Sequence, residues 1–221
     1  MPTHENGPVT VTDYVVNSIR ERILTGKYSA GMRLDQQTLI EELGASLIPV
    51  RESLRQLEGE GFVQIQPHRG AFVAELSLND LQEIYLVREV LEETATELAV
   101  PNFSSQTLEQ LDGLVKKMES ATQSNDYAQL IDLNRAFHFA IYSTSNNNLL
   151  LQMITSLWDR SRRYRQLYTR LPERNLRALI EHKEIYAACK LGDVEAARKA
   201  VRNNVRQTTV GILEQLQPPK V

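Results

Sequence analysis

The sequence between residues 34 and 73 decides the fold, and it reads LDQQTLIEELGASLIPVRESLRQLEGEGFVQIQPHRGAFV. Its first part, residues 35–43, predicts a short helix, and Asp35 can cap that helix by accepting from the amides at its start. One face of this helix is apolar and consists of Leu39, Ile40 and Leu43. Gly44 follows as a natural left-handed stop, so we expect the chain to turn sharply there.

A second helix is expected to begin after Ser46, which is its predicted N-cap. Helical spacing predicts an inward side made of Val50, Leu54 and Leu57. The same periodicity places four residues outside, namely Leu47, Ile48, Arg51 and Arg55. Pro49 fits within the first turn, because the amide hydrogen that proline lacks has no partner inside a helix at that position.

A β-hairpin is predicted after this helix, which glycines 59 and 61 end. Residues 62–66 alternate in polarity, with Val63 and Ile65 on one side, which predicts a first strand. Residues 67–70 then make a tight turn, and residues 71–73 form a second strand that pairs with the first. Two helices joined by a glycine-containing turn and followed by a hairpin are typical of a winged helix-turn-helix, whose second helix can enter a DNA major groove. The pattern alone leaves one alternative open, a small α+β subdomain that binds no nucleic acid.

The stretches GASLIPVRESLRQLEGEGFV and HRGAFV resemble the DNA-binding domain of the GntR family of bacterial transcription regulators. The resemblance is carried by Pro49, Val50, Arg51, Glu52, Leu54, Leu57, Glu58, Gly61, Arg69, Gly70 and Val73. It implies that the second helix and the hairpin tip contact DNA. The expected DNA-binding residues are Gln37, Ser46, Leu47, Ile48, Pro49, Arg51, Arg55, His68, Arg69 and Gly70.

The start of the second helix departs from the family pattern. The family usually opens this helix with Ser-Arg-Thr-Pro, whereas this chain has Ser46-Leu47-Ile48-Pro49. An arginine can read guanine through two hydrogen bonds, but a leucine offers only apolar contact, which suits the methyl group of thymine. We therefore expect a half-site with thymine near Leu47. The alternative is that Leu47 and Ile48 face a partner protein or pack within the domain.

The charge of the chain is unusual for a DNA-binding protein. Residues 1–74 hold 7 Lys and Arg against 9 Asp and Glu, a net charge of −2, while residues 75–221 hold 18 against 19, a net charge of −1. Phosphate contacts supply much of the affinity for DNA, so any binding face must be a local concentration of positive charge. The candidates are Arg20, Arg33, Arg51, Arg55 and Arg69. This balance predicts modest non-specific affinity.

The single cysteine and the lack of long apolar runs indicate a cytoplasmic protein. Cys189 cannot form an internal disulfide, which suits a reducing compartment, and we interpret it as a small buried apolar residue. The first ten residues are polar, unlike a secretory leader. No apolar run approaches the roughly 20 residues that a membrane span needs. Phosphate-loop, GxSxG and HExxH motifs are absent from the sequence, which argues against an enzyme.

Three segments are predicted along the chain: a flexible tail at residues 1–11, the DNA-binding domain at residues 12–75 and a helical domain at residues 76–217. Thr12 or Asp13 is expected to cap a first helix over residues 13–25. Helices are then expected over residues 79–100, 105–123, 126–145, 149–170, 174–191 and 194–216. Their expected inner stripes include Val87, Leu98, Leu176 and Ile180. The predicted fold class is therefore mainly α, a winged helix-turn-helix followed by an all-helical antiparallel bundle.

The helical half resembles the ligand-binding domain of the FadR-like branch of the GntR family. The resemblance is carried by residues 88–92, by residues 134–138 with the later Asn-Asn-Leu-Leu, and by Glu181-His182, Gly192-Asp193 and Ala196-Ala197. About six helices suggest the shorter, VanR-like form. The resemblance implies a homodimer, and a two-fold symmetric dimer implies a near-palindromic double-stranded DNA operator.

The family often holds one divalent metal in this bundle, bound by an aspartate and three histidines. The matching positions here are Asn134, His138, His182 and Asn204, so only the two histidines are retained. Amide oxygens are weak ligands for zinc or nickel, and we expect little tightly bound metal. Three interpretations stay open: a metal site at His138 and His182, hydrogen-bonded core histidines, or a polar pocket that holds the effector without metal.

An arginine is expected to take part in that pocket. Arg88 resembles the pocket-side arginine of the family, and its fixed fork suits a carboxylate. The alternative for Arg88 is a solvated arginine on the helix surface. A second basic group, Arg160, Arg162, Arg163 and Arg165 with Tyr164 and Tyr168, is interpreted as a solvated or interdomain face rather than a phosphate or nucleic-acid site.

These observations predict a bacterial transcription regulator whose operator binding responds to a small organic acid. The expected effector-binding residues are Arg88, Asn134, His138, His182 and Asn204. Two other classes remain: a metal-dependent enzyme on a helical bundle, which the incomplete ligand set disfavours, and an interaction module that has lost DNA binding, which the acidic N-terminal domain favours.

Overall fold

The structure is a computed structural model that describes residues 10–75, 77–162, 164–165 and 172–216. The chain divides into two compact units, Met1–Leu76 and Ser77–Val221. Most of the predicted tail, residues 1–9, lies outside the described residues. The prediction that the tail extends to residue 11 is wrong, because Val11 already belongs to a helix.

The first unit contains three helices, α1 (Val11–Leu24), α2 (Gln36–Leu43) and α3 (Leu47–Gly59). The predicted caps of α1 are wrong: Thr10 is the N-cap, and Asp13 completes a capping box by accepting from the Thr10 amide. The prediction for α2 is confirmed, since Asp35 accepts from the Thr38 amide at 3.1 Å and Gly44 takes a left-handed φ of 61°.

A three-stranded antiparallel sheet completes the unit, with β1 (Arg33–Leu34), β2 (Val63–Gln66) and β3 (Gly70–Val73) in the order β1-β3-β2. The predicted hairpin is β2 and β3, with Ile65 opposite Ala71. Strand β1 was not predicted, because two residues carry no periodicity and this strand exists only through pairing with β3. The hairpin turn contains His68 at a φ of 61°.

One apolar core joins these elements. Its buried residues include Val15, Ile19, Leu39, Val50, Leu54, Leu57, Phe62 and Val63, which contains the whole predicted inward side of α3. The predicted winged helix-turn-helix is therefore confirmed, with the recognition helix α3 packed on α1 and α2.

The second unit contains six long helices in its described part. They are α4 (Leu78–Ala99), α5 (Ser105–Gln123), α6 (Tyr127–Tyr142), α7 (Asn148–Arg160), α8 (Pro172–Leu191) and α9 (Val194–Leu216). Short 3-10 turns at Val100–Asn102 and Ser143–Ser145 follow α4 and α6. Helix α7 ends at Arg160, earlier than predicted, and residues 166–170 of the predicted helix lie outside the described residues. Helix α4 packs on α7 and α9, and α5 packs on α6 and α8, which confirms the predicted bundle.

Four predicted inner residues of the bundle are exposed instead. Their exposed fractions are 43% for Val87, 41% for Leu98, 56% for Leu176 and 52% for Ile180. Val87 is exposed together with Leu86 and Val90 on an outward side of α4. The apolar residues of α4 therefore extend beyond the side that packs against the other helices of the bundle. In the part of the chain that the structure describes, every helix is too short or too polar to cross a membrane.

Candidate functional site

The outward side of α3 presents the residues expected to contact DNA. Ser46 occupies the N-cap position, but its side chain makes no capping bond, and it is exposed. Leu47 and Ile48 follow with 40% and 70% of their surface exposed, so the possibility that they pack within the domain is wrong. Arg51 and Arg55 are exposed on later turns of the same helix. The first turns of α3 therefore expose an unusual pair of apolar groups beside two arginines.

A residue of the preceding helix holds one of these arginines. The Arg51 Nε donates to the Gln36 Oε1 at 3.0 Å, which connects the recognition helix to the first turn of α2. Gln37, the predicted contact, donates to Glu41 at 2.9 Å along the same helix. Gln36 was not predicted as a functional residue, because nothing in a run of exposed polar residues distinguishes one glutamine from its neighbour.

The hairpin tip brings the other predicted residues together. His68 takes a left-handed φ of 61°, Gly70 has a φ of 106°, and the guanidinium of Arg69 lies over the Phe72 ring at 5.9 Å from its centroid. A recess of about 330 Å³ lies beside the hairpin. Its walls are Arg33, Leu34, Asp35, Gln36, Gln37, Ile40, Leu47, Gly70 and Ala71. The wing and the two helices of the motif thus share one concave surface.

The charges of the unit are distributed unevenly. Arg20 is paired with Glu60 at 2.5 Å, and Arg22 is paired with Glu42, so these arginines are neutralised by neighbouring carboxylates. The prediction that Arg20 belongs to the DNA-binding face is therefore not supported by its contacts. In the described part of this unit, four exposed arginines form no ion pair with a carboxylate: Arg33, Arg51, Arg55 and Arg69. They lie on α3, on β1 and in the turn between β2 and β3.

The helical unit contains a cavity of about 60 Å³. All five predicted effector-binding residues line it, together with residues of every helix from α4 to α9. The lining consists of Arg88, Met118, Thr122, Leu130, Asn134, His138, Trp158, Arg165, Asn175, Ala178, Leu179, His182, Asn204, Val205 and Thr208. None of these described residues has a carboxyl group, and two of them are arginines.

Arg88 is buried, so the alternative of a solvated surface arginine is wrong. Its Nε donates to Glu92 at 2.7 Å, and its Nη1 donates to the Ser161 hydroxyl at 3.1 Å. The guanidinium also lies between two rings, 4.4 Å from the centroid of Trp158 and 4.6 Å from that of Tyr85. Desolvation lowers the pKa of Arg88, but the charge of Glu92 and the other partners outweigh it and raise that pKa.

Glu92 is the hub of this buried network, with none of its side chain exposed. Besides Arg88, the indole nitrogen of Trp158 donates to its Oε1 at 2.8 Å, and the Tyr142 hydroxyl donates to its Oε2 at 2.6 Å. Burial and the neighbouring carboxylate raise the pKa of Tyr142 well above its ordinary value, so the hydroxyl keeps its proton. One carboxylate therefore fixes side chains from α4, α6 and α7.

The two histidines face each other across the cavity wall, with their ring centroids 5.0 Å apart. The His138 Nδ1 lies 3.0 Å from the Tyr142 hydroxyl, and the His182 Nδ1 lies 2.6 Å from the Ala178 carbonyl oxygen. Burial lowers the pKa of His182 to about 4. Burial and the charges of His182, Arg88 and Arg165 lower the pKa of His138 well below its ordinary value. A side-chain hydrogen bond with Asn204 raises the pKa of His138 but does not offset these effects. Both rings are therefore neutral at pH 7.

The lining does not supply the donor set of a tightly bound zinc or nickel ion. The described residues contain no cluster of three or more His, Cys, Asp or Glu side chains suited to a metal. The Nδ2 of Asn204 already donates a hydrogen bond to Glu181 at 2.7 Å. The guanidinium groups of Arg88 and Arg165, which line the cavity, would also repel a divalent cation. Two imidazoles and two amides without a carboxylate are a weak set of ligands.

The family follows from comparison with known proteins. The FCD domain family matches residues 83–207, and the family described as bacterial regulatory proteins, gntR family, matches residues 12–73. The chain belongs to the GntR family. This regulator is 34% identical over 209 residues to the HTH-type transcriptional regulator McbR of Escherichia coli K12, covering 94% of both chains.

Solved structures agree with this assignment. The regulator resembles the structure of E. coli McbR/YncC with a TM-score of 0.79 and 31% identity, over 95% of this chain and 100% of that one. A GntR transcriptional regulator from Rhodococcus sp. RHA1 shares the fold, with a TM-score of 0.74 at 24% identity over 93% of this chain and 99% of that one.

The family membership decides between the classes left open by the sequence. This GntR-family protein is a DNA-binding transcription regulator, so the interpretations as a metal-dependent enzyme and as a module without DNA binding are wrong. Its single cysteine, Cys189, is buried as predicted, and burial raises the pKa of the thiol to about 12.

The sequence did not identify several residues of the regulator's cavity. Arg165 is buried and lines the cavity, donating from Nη1 to Ser161 at 2.7 Å, so its assignment to a solvated face was wrong. Burial and the nearby Arg88 lower the pKa of Arg165 to about 9. Tyr164 is fully buried as well. Arg163 and Tyr168 of the same predicted face lie outside the described residues. A run of arginines is ordinarily a surface feature, and the sequence carries no signal that separates the buried member.

Proposed function

We propose that this regulator binds a near-palindromic operator as a homodimer and that a small organic acid in the cavity of the helical unit controls its affinity. The observation that carries the proposal is the composition of the described lining: two buried guanidinium groups, neutral histidines and amides, but no carboxyl group. Glu92 compensates the charge of Arg88, so Arg165 leaves a net positive charge that attracts a small anion, and a planar carboxylate suits the arginine fork.

The expected DNA contacts come from the outward side of α3 and from the wing. Arg51 and Arg55 are expected to reach base edges and phosphates in the major groove. Leu47 and Ile48 are expected to contact thymine methyl groups. Gln37, Ser46 and Pro49 are expected beside them on the same surface, while His68, Arg69 and Gly70 are expected to follow the backbone or minor groove at the hairpin tip. An operator-binding regulator of this kind acts in the bacterial cytoplasm.

The dimer is supported by an exposed apolar side of α4. Leu86 and Val87 are adjacent, Val90 lies one turn later, and 66%, 43% and 57% of their respective surfaces are exposed. Covering such a side in a dimer removes apolar surface from water, and a two-fold dimer reads two half-sites. Sedimentation of the full chain is expected to give twice the chain mass, and a monomer at micromolar concentration would contradict this part of the proposal.

The effector proposal is tested on the operator itself. Selection from a random duplex library would first supply the operator, and fluorescence anisotropy would then measure its Kd with and without two- to four-carbon monocarboxylates. An effector that couples to DNA binding should change the Kd by roughly 5- to 150-fold, which corresponds to about 1–3 kcal/mol. Chloride at the same ionic strength is the control. An operator affinity that no carboxylate changes beyond this control would contradict the proposed function.

A further inference from the structure

We propose that Gln36 is a positioning residue that sets the base specificity of Arg51, because it holds the guanidinium of the recognition helix in one orientation without neutralising its charge. The inference rests on the proposed function, since it specifies how one of the expected operator contacts works. It is carried by the hydrogen bond between these two side chains and by the contrast with Arg55 on the same helix.

The hydrogen bond joins the two helices of the motif. Gln36 is the first residue of α2 and is half-buried, whereas Arg51 is exposed about one turn into α3. The Arg51 Nε donates to the Gln36 Oε1 at 3.0 Å. An arginine nitrogen can only donate, so the amide of Gln36 must present its oxygen to Arg51. The half-buried amide therefore orients the end of a long side chain that would otherwise sample many rotamers.

The bond to Nε determines which donors of Arg51 remain for DNA. A guanidinium has five N–H donors in one plane, one on Nε and four on the two Nη groups. With Nε occupied by Gln36, contact with a base is left to the two Nη groups at the end of the fork. Guanine presents two neighbouring acceptors, O6 and N7, in the major groove, and arginine reads them through two hydrogen bonds. Arg51 should therefore read guanine with its two Nη groups.

A neutral acceptor orients the arginine and leaves its charge intact. Arg51 forms no ion pair with a carboxylate in the described residues, so its positive charge stays available to the negatively charged DNA. A glutamate at position 36 would hold the same Nε but would also place a negative charge on the surface that faces the phosphates. Glutamine thus supplies the orientation without this repulsion.

Arg55 provides the contrast within the same helix. It is exposed one turn after Arg51, and in the part of the chain that the structure describes its side chain has neither a hydrogen bond nor an ion pair. A side chain with this freedom can follow a phosphate, but it loses more conformational entropy when it is fixed on one base edge. Arg51 therefore reads the base, and Arg55 contacts the backbone.

Base preference tests the inference on the full chain. Fluorescence anisotropy at one salt concentration would measure the Kd for the selected operator, for operators with single base-pair changes and for an unrelated duplex. The position whose preference is abolished in Arg51→Ala is the base that Arg51 reads, and we expect guanine there. Any other preferred base at that position would overturn the inference.

Gln36→Met removes the acceptor while nearly preserving the size of the side chain. We expect it to reduce the preference for this guanine by roughly 2- to 10-fold, the range for ordering one long side chain, and to change the Kd for the unrelated duplex by less than about twofold. Gln56→Met is the control, because Gln56 is exposed on α3, donates to Glu60 and lies outside the expected DNA contacts. It should leave the preference unchanged. An equal loss for every duplex in Gln36→Met would indicate a structural brace and overturn the inference.

Gln36→Glu separates orientation from charge. The variant keeps an acceptor for Nε, so it should retain the preference for guanine, while its negative charge should weaken binding to every duplex. Loss of the preference in Gln36→Glu would overturn the inference, and this comparison remains decisive if Gln36→Met does not fold, which circular dichroism would reveal.

A double variant shows whether Gln36 acts through the arginine. When Arg51 is already alanine, Gln36→Met should change no operator Kd by more than about twofold. An effect that persists in this background would mean that Gln36 contacts DNA itself, and would overturn the inference. If Arg51→Ala alone leaves the operator Kd unchanged, the expected contact of Arg51 in the proposed function is wrong as well. If only Gln36→Met is without effect, that contact stands and the positioning role is wrong.

Discussion

Replacing Glu92 should destabilise the helical unit more than replacing any exposed carboxylate of the same helix. Its side chain is fully buried and accepts from Arg88, Tyr142 and Trp158. Glu92→Gln removes the negative charge and one acceptor while nearly preserving the shape. Arg88 is then left as a buried cation without its counter-charge, and breaking a buried ion pair from one side costs about 3–5 kcal/mol. We expect a loss of this size.

Urea unfolding at pH 7 measures this loss. The chain has one tryptophan, Trp158, which lies in the helical unit, so its fluorescence follows the unfolding of that unit alone. The matched control is Glu97→Gln on the same helix α4. Glu97 is 51% exposed and lies 3.4 Å from Arg198, and such a surface pair contributes less than about 1 kcal/mol.

If Glu92→Gln lowers the unfolding free energy no more than Glu97→Gln does, this prediction is wrong. That result would mean that the aromatic rings around Arg88, rather than the carboxylate, compensate its burial. A large loss accompanied by a changed slope of the unfolding curve would instead indicate an altered unfolded state, so the comparison uses midpoints at equal slopes.

Four further outcomes are expected from the same protein. Arg51→Ala should weaken operator binding by roughly 1–3 kcal/mol, the range of a good base contact, and an unchanged Kd would remove Arg51 from the interface. Arg69→Ala should weaken all duplexes alike and reduce the salt dependence of binding, and an unaltered salt slope would argue against a phosphate contact. Selection should enrich thymine nearest Leu47, and Leu47→Arg should shift the preference to guanine; guanine enrichment by the natural chain would contradict the apolar contact. Folding lowers the pKa of His182 from 6.5 to about 4, so the unfolded state binds more protons between these pH values. The unfolding free energy should therefore decrease by up to roughly 3 kcal/mol as the pH is lowered from 6.5 to 4. His182→Phe, which cannot titrate, should reduce this decrease.

The sequence predicts the DNA-binding unit well because its signals are local. An aspartate cap, a left-handed glycine and inward residues at helical spacing each act within a few residues, and α2, α3 and the hairpin form as expected. Strand β1 was missed because Arg33 and Leu34 become a strand only by pairing with β3, which lies almost 40 residues further along the chain. A strand of two residues is too short to show the alternating pattern from which strands are predicted.

The cavity was predicted only in part, for a related reason. Resemblance to the family identified Asn134, His138, His182 and Asn204, and the fold brings all four to one cavity. Arg165 in the lining and Glu92 in the buried network behind it were not expected, because charged residues are rarely buried and periodicity cannot identify the exceptions. The partners of Glu92 explain its burial, because Tyr142 and Trp158 lie on other helices and far away in the sequence. Arg165 donates to Ser161, four residues earlier, and its guanidinium lies 4.2 Å from the centroid of the Trp158 ring.

The net charge of −2 on the first 74 residues misrepresents the surface offered to DNA. Several acidic residues of this unit are already engaged. Glu60 and Glu42 pair with Arg20 and Arg22, Glu52 accepts from Thr12, and Glu58 accepts from the Ile65 amide. The arginines of α3, β1 and the hairpin turn form no ion pair with a carboxylate in the described residues. Because screening confines electrostatic attraction to about 10 Å at ordinary salt, the local excess of arginine decides phosphate binding, while the distant carboxylates weaken attraction to DNA in general. The regulator should therefore bind its operator through a few well-placed contacts and release non-specific DNA readily.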